Sequence, residues 1–422
     1  MLLNDEEKRM LDGEYGAGTQ RAMSFLKTLG EALGAEKMAR VTSAHIISAL
    51  PPDYLAQMTE GVIKMRTMVS LLPCFDPKHW REKYGIVSKE KTIGGVGLTS
   101  EKDYAKNMTI LRSLNVLPTF TCTPYTIGIV PRRNDVCLWA GTSGQNVANS
   151  LFGARAPRES VATCLASSIT GVVPYQGLLR PESRFAELLI NSEELDIGNF
   201  TLADYGALGY HVGRIARTRN VVFGGLPNNM TLEQCKSLLS PLTVDGACTM
   251  CHIVGVTPEA STLETALGGK KPKEVVKVRK KDIENIRDMF TNAGVNEVRL
   301  AVFGCPHLTI MELQELAYLL VGRRVKEETQ LMVGVSNMTY TLAKEAGYAD
   351  TIEQAGAIIT DCCVSGQNPL VHIMGVDAVA TNSARGARFF QTQTAGRCRT
   401  YYGDMKECVH LVTAAMKGAT KK

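Results

Sequence analysis

No run of about eighteen apolar residues occurs in the 422-residue sequence, so no bilayer-spanning helix is predicted. The amino-terminal stretch "MLLNDEEKRMLDGEYG" lacks the apolar core of an export signal and carries Asp5, Glu6, Glu7, Asp12 and Glu14 instead. Both absences predict a cytoplasmic protein. In that reducing compartment the 12 cysteines are expected as buried thiols or ligands rather than disulfides. Repeats and low-complexity tracts are also lacking. Concentrated charge of one sign is scarce: the net charge is only +5, and the one dense basic run, "GGKKPKEVVKVRKKD" (268–282), contains Glu274 and Asp282. It reads as a solvated connector rather than a nucleic-acid surface.

What is present is the profile of a folded soluble chain, with 45% hydrophobic and 21% charged residues. The length exceeds one ordinary domain and predicts two or three lobes. Residues 5–34 carry apolar positions at helical spacing. Beyond them, short apolar runs at 116–122, 220–226, 297–305, 331–336 and 356–362 alternate with helical patterns at 101–114, 231–239, 281–293, 309–321, 338–347 and 404–417. Strands separated by helices predict an α/β fold of mainly parallel sheet. The expected division is an α/β lobe over 1–200, a second over 201–385, and a helical segment over 386–422 that packs on both.

Three of the apolar runs end on a thiol. "LPTFTCTPY" delivers Cys122, "LAVFGCPHLT" delivers Cys305, and "GAIITDCCVSG" delivers Cys362 and Cys363. In parallel sheets ligands gather at the carboxyl ends of strands. The thiols are therefore either separate small hydrophobes in the core or ligands of one metal site. Zinc takes four protein ligands, or three and a water. An iron–sulfur cluster held by three cysteines leaves an iron open to a substrate oxygen, as a hydro-lyase needs.

Other side chains are candidates around such a site. His307, two residues past Cys305, reads as a group that orients a carboxylate or bonds a cluster sulfur. Asp361 is a candidate general acid or base, or equally a turn residue of the cysteine loop. Thr381, Asn382, Ser383 and Arg385 suit carboxylate or phosphate capture, with Asn149, Ser150 and Arg155 as a matching set in the other lobe; either set also suits helix capping. "CTMCH" (248–252) has a haem-attachment spelling but no second ligand pair, and is expected to be buried. "GGVG" (94–97) lacks a strand–helix frame and reads as a turn.

Taken in order, the blocks "EEKRMLDGEYGAGTQRAM" (6–23), "TSAHI" (42–46), "PTFTCTPY" (118–125), "NVANSLFGAR" (146–155), "HIVGVTPEA" (252–260), "GCPHLT" (304–309), "IEQAGAIITDCC" (352–363) and "ATNSARGARF" (380–389) resemble the large, catalytic subunit of the aconitase X family. The resemblance implies the first three α/β domains of aconitase without the swivelling small domain. That domain is expected on a small-subunit partner that supplies the proton-abstracting serine. It further implies an iron–sulfur cluster, [4Fe-4S] or [2Fe-2S], on Cys122, Cys305 and Cys363, beside which His307 and Asp361 are the candidate catalytic residues. Substrate contacts are expected from Ser43, His45, Asn149, Ser150, Arg155, Thr381, Asn382, Ser383 and Arg385.

The implied reaction is dehydration of a small hydroxy acid, cis-3-hydroxy-L-proline or a related 3-hydroxy acid. Mevalonate 5-phosphate is the alternative substrate, and a non-catalytic paralogue is the alternative fate. The sequence departs from the family pattern at Gly141, Thr142, Gly144, Leu179, Arg385 and Phe389, and Cys362 stands where a threonine is usual. These changes predict a shifted substrate and weak turnover of cis-3-hydroxy-L-proline.

Overall fold

The computed structural model describes residues 1–84, 92–93, 96–97, 100–365 and 375–416. Among them are three parallel sheets. The first has the order Met68–Leu71, Ser43–Ile46, Cys137–Trp139. The second runs Cys251–Ile253, Val221–Gly224, Leu188–Asn191, Glu274–Lys277. The third runs Ile358–Thr360, Gln330–Gly334, Leu300–Phe303, Ala378–Thr381, Arg399–Tyr402. Ser43–Ile46, Leu300–Phe303 and Ala378–Thr381 are buried at every position, hence the continuous apolar run at Leu300–Phe303, whereas Leu188–Asn191 alternates buried and half-buried positions. No helix is long and apolar enough to cross a membrane among the described residues.

Local signals set most boundaries. Thr309 accepts from the Glu312 amide and Glu312 accepts from the Thr309 amide, so a capping box opens the helix Ile310–Leu320. The same device opens Leu232–Leu239 at Thr231 and Met405–Val412 at Asp404. The amino-terminal helical pattern is two helices, Asp5–Leu11 and Ala17–Ala32. Gly13 and Gly16, at φ 88° and 93°, turn the chain between them.

Two expectations were overturned. Residues 116–122 form no strand: the segment makes one isolated bridge, Leu117 to Ser70, and Phe120 sits at φ 40°. Pro118 has no amide hydrogen for a ladder, and a left-handed residue ends extended pairing. The basic run is also more than a connector, since Glu274–Lys277 is an edge strand of the second sheet. Its charges suit an edge, and Lys273 and Lys277 pair with Glu187 and Glu194. Residues 386–422 contribute two strands as well as helix, Arg399–Tyr402 in the third sheet and Thr413–Ala415 against Arg323–Val325. Of "GGVG", Gly94 and Gly95 lie outside the described residues, while Val96–Gly97 pairs with Thr92–Ile93.

Candidate active site

The strand Leu300–Phe303 ends at Gly304, whose φ is 108° and whose missing Cβ would lie 2.3 Å from the Gly334 carbonyl oxygen. Only a residue without a side chain lets the two strand ends meet there. Cys305, Pro306 and His307 follow before the helix begins at its Thr309 cap. The neighbouring strand Ala378–Thr381 ends the same way: Thr381 Oγ1 accepts from the Ser383 amide at 3.2 Å, and Ser383 caps the helix Ala384–Gln393. The Ser383 hydroxyl also donates to the Cys305 carbonyl. On the other side, Thr360 Oγ1 accepts from the Cys362 amide at 3.1 Å and so sets the turn that carries Cys363.

These loops meet the Cys122 segment. Burial pushes the Cys122 thiol up to about 12, and the Cys305 and Cys363 sulfurs add to the rise. Cys305 is pushed up to about 11 by burial, opposed by the Arg385 guanidinium and reinforced by Cys363. Three thiols thus share one electrostatic neighbourhood. The backbone N–H of His307 donates to Cys122 Sγ at 3.2 Å, aiming a donor at sulfur. Among the described residues, no three of His, Cys, Asp or Glu close around a single metal ion.

His307 is 1% exposed and its Nε2 lies 3.1 Å from the Cys362 carbonyl. A carbonyl can only accept, so Nε2 carries the hydrogen. Burial pushes the imidazole down to about 4, so the ring is neutral and Nδ1 is a bare acceptor, buried and without a protein partner. Cys362 is fully buried, its carbonyl on His307 and its thiol raised by burial.

Two cavities lie by these loops: Cys305 borders the smaller, and none of the three thiols lines the larger. The smaller, about 20 Å³, has room for one water and borders Lys236, Ser240, Cys305, Asn382 and Arg385. The larger, about 270 Å³, lies at the carboxyl ends of strands from the first and third sheets; Cys74, Asp76, Tyr104, Arg112, Asn337 and Asp361 line it. Asp361 therefore faces a different space from Arg385. Its carboxylate accepts from Asn337 Nδ2 at 2.8 Å, and burial raises its pKa.

Arg385 is tied down. Its guanidinium donates to Thr243 Oγ1 at 2.8 Å, the Ser240 carbonyl at 3.2 Å and Thr142 Oγ1 at 3.0 Å, and lies 4.8 Å from the Phe389 ring centre. Three of the departing positions, Thr142, Arg385 and Phe389, are thus one set of contacts. At Gly141 a Cβ would lie 2.7 Å from a terminal methyl of Leu72, which would have to move aside.

The remaining sequence candidates fall elsewhere. Asn149 bonds the Ala156 and Thr249 carbonyls and accepts from Arg184 at 3.0 Å. Ser150 links Asn146 to the Cys251 amide, and Arg155 pairs with Glu259 at 3.2 Å. Together they fasten the first sheet's helices to the second sheet. Ser43 accepts from the Trp139 indole at 3.2 Å. His45 sits between the Ser70 hydroxyl at 2.7 Å and the Thr121 carbonyl at 2.6 Å, one residue before Cys122. His252 of "CTMCH" donates to the Arg184 carbonyl at 2.8 Å.

Sequence reasoning missed Lys236 and Glu312, a buried ion pair against the His307 carbonyl. The available signal was one lysine amid Cys235, Leu238 and Leu239 on a short apolar helix. Asn337 and Cys74, on the larger cavity, were also missed; each lies shortly after a strand end.

Comparison with known proteins bears on this arrangement. Models of the aconitase X first, second and third domains match residues 1–182, 186–288 and 298–414. The phosphomevalonate dehydratase large subunit of Methanocaldococcus jannaschii is 30% identical, over 96% of this chain and 99% of that one. The cis-3-hydroxy-L-proline dehydratase of Hypocrea jecorina is also 30% identical, over 96% of this chain and 68% of that one. The crystal structure of Thermococcus kodakaraensis aconitase X in its holo-form superposes with a TM-score of 0.83 at 27% identity, covering 98% of this chain and all of that one.

Proposed function

The chain belongs to the aconitase X family, and from that premise we propose that it is the large subunit of an iron–sulfur hydro-lyase acting on a small, non-phosphorylated hydroxy acid. The observation that carries this reading is the convergence of Cys122, Cys305 and Cys363 from three separate loops, with the His307 amide aimed at one sulfur. Thiolates are the soft ligands such clusters accept. When bound there, the cluster, [4Fe-4S] or [2Fe-2S], supplies Lewis acidity to a substrate hydroxyl.

The chain's own groups have separable roles. Arg385 lies close enough to Cys305 to favour its thiolate, but its guanidinium is committed to Thr142, Thr243 and Ser240 beside a one-water void. The larger crevice, bounded by the Asp361 turn that leads to Cys363, is the roomier approach for a substrate. There Arg112 offers a cation to a carboxylate, and Asp361, held by Asn337 and with its pKa raised by burial, is placed as the acid–base group for the departing hydroxyl. His307 holds its Nδ1 lone pair ready for a donor near the thiols. The base that removes the substrate proton is expected from a small subunit; relatives named as large subunits support a partner of that kind.

Overall identity is 30% to relatives of either substrate class and does not separate them. The acidic Asp76 on the crevice wall disfavours a phosphate dianion and supports cis-3-hydroxy-L-proline or a related 3-hydroxy acid over mevalonate 5-phosphate.

The test is anaerobic reconstitution of the wild type and of Cys122→Ser, Cys305→Ser, Cys363→Ser and Cys362→Ser, with iron and sulfide measured per chain. The first three should lose the visible absorption band and Cys362→Ser should keep it. Full iron content in any of the first three removes that residue from the ligand set. Assays of the complex with its small subunit on both relatives' substrates then decide the acid.

A further inference from the structure

The second sheet contributes no thiol to the site, yet one of its helices reaches into it. The helix Leu232–Leu239 presents Glu233 and Lys236, three residues apart and so on one side. Glu233 accepts from the Thr309 hydroxyl at 2.7 Å. Lys236 Nζ donates to the His307 carbonyl at 3.1 Å and to Glu312. Glu312 in turn accepts from the Thr309 amide at 2.8 Å. Lys236 is 2% exposed and Glu312 3% exposed. An ammonium so deeply buried persists only when paired, and such pairs are weak sources of net stability. What this pair holds is therefore more informative than what it stabilises.

It holds His307. That residue is fastened to two loops and a helix: its N–H to Cys122 Sγ, its ring to the Cys362 carbonyl, and its own carbonyl to Lys236. With the ring and the carbonyl fixed, the backbone rotation that aims the N–H at sulfur has little freedom left.

We propose that Lys236 is a positioning residue: by gripping the His307 carbonyl from the second sheet, it fixes the N–H donated to Cys122 and so the spacing of the three thiols. This rests on the assignment of Cys122, Cys305 and Cys363 as cluster ligands, through which the N–H···S bond acquires functional meaning. A hydrogen bond to a ligand sulfur raises a cluster's reduction potential. Lys236 would then tune the cluster from a domain that supplies none of its proposed ligands.

The test is the double variant Lys236→Met/Glu312→Gln, which removes one positive and one negative charge together and leaves neither buried alone. In the metal-free chain, the His307 amide should exchange with deuterium about tenfold faster, the loss expected for one hydrogen bond. After reconstitution, the reduction potential should fall and the visible circular dichroism change, although net charge near the thiols is unaltered. Lys236→Gln, which keeps a polar group in place, should move the same two readouts in the same direction and guards against a fold lost to methionine. A folded variant whose His307 exchange, potential and dichroism match the wild type overturns the proposal. A wild-type chain that takes up no iron would instead overturn the ligand assignment, and the exchange comparison, made without metal, would still report on Lys236.

Discussion

Acidification should loosen the first sheet through one side chain, His45. The imidazole is 1% exposed, accepts from the Ser70 hydroxyl on one side and donates to the Thr121 carbonyl on the other. Burial pushes it from its ordinary 6.5 down to about 4, only partly offset by those two hydrogen bonds. The unfolded chain therefore takes up this proton before the folded one does. The stability His45 contributes is complete above 6.5, declines as the pH falls, and is gone below about 4. That gap corresponds to about 3 kcal/mol, a large part of an ordinary domain's stability. The perturbation is His45→Gln, which cannot titrate. Trp139, 6.3 Å from the imidazole, reports unfolding of this sheet by fluorescence in a Trp80→Phe background. Urea midpoints of the two proteins, compared from neutral pH to about 4, remove the contributions of all other titrating groups. The wild type's advantage at neutral pH should shrink by about 3 kcal/mol. An advantage that stays constant across the range would refute the argument that the imidazole is buried neutral.

Four further outcomes follow from the packing and the partner. Glu259→Gln strands the Arg184 guanidinium, which is 2% exposed and 2.8 Å from the carboxylate; melting should show a loss of about 3–5 kcal/mol. Gly209→Ala puts a Cβ 2.0 Å from the Leu238 carbonyl oxygen, where helices Leu202–Ala216 and Leu232–Leu239 cross, and should cost about 1–3 kcal/mol. Gly198→Ala, with open space around it, should melt like the wild type. The cluster-loaded chain alone should show no dehydration until a small subunit is added; equal turnover with and without that subunit would remove the need for it.

Much of the site was legible because its signals are short-range. The thiols of Cys305 and Cys363 follow apolar runs that are strands, and the Thr309-to-Glu312 cap marks the helix beyond the first of them. Cys122 gave the same appearance for a different reason. Its apolar run is irregular, broken by Pro118 and Phe120, so its thiol reaches the site from a loop pinned by the His45 contact to Thr121. The polar candidates divided further. Ser383 and Arg385 do border the thiols, whereas Asn149, Ser150 and Arg155 join sheets. Hydroxyl, amide and guanidinium groups serve capture and fastening equally well, and spacing along the chain does not say which.

The sequence by itself determined the strands Val221–Gly224, Leu300–Phe303, Gln330–Gly334 and Ile358–Thr360, the capped helix starts, the glycine turn at Gly304, and the presence of thiols at the end of two strands. Each follows from backbone and side-chain preferences felt within a few residues. Tertiary structure alone decided that loops around Cys122, Cys305 and Cys363 share one neighbourhood, and that His307 is gripped by Lys236 from another sheet. It also turned Asp361 and Arg385 into different cavities. Those outcomes depend on how three sheets pack against one another. The groups concerned lie many tens of residues apart, and no local preference carries information over that distance.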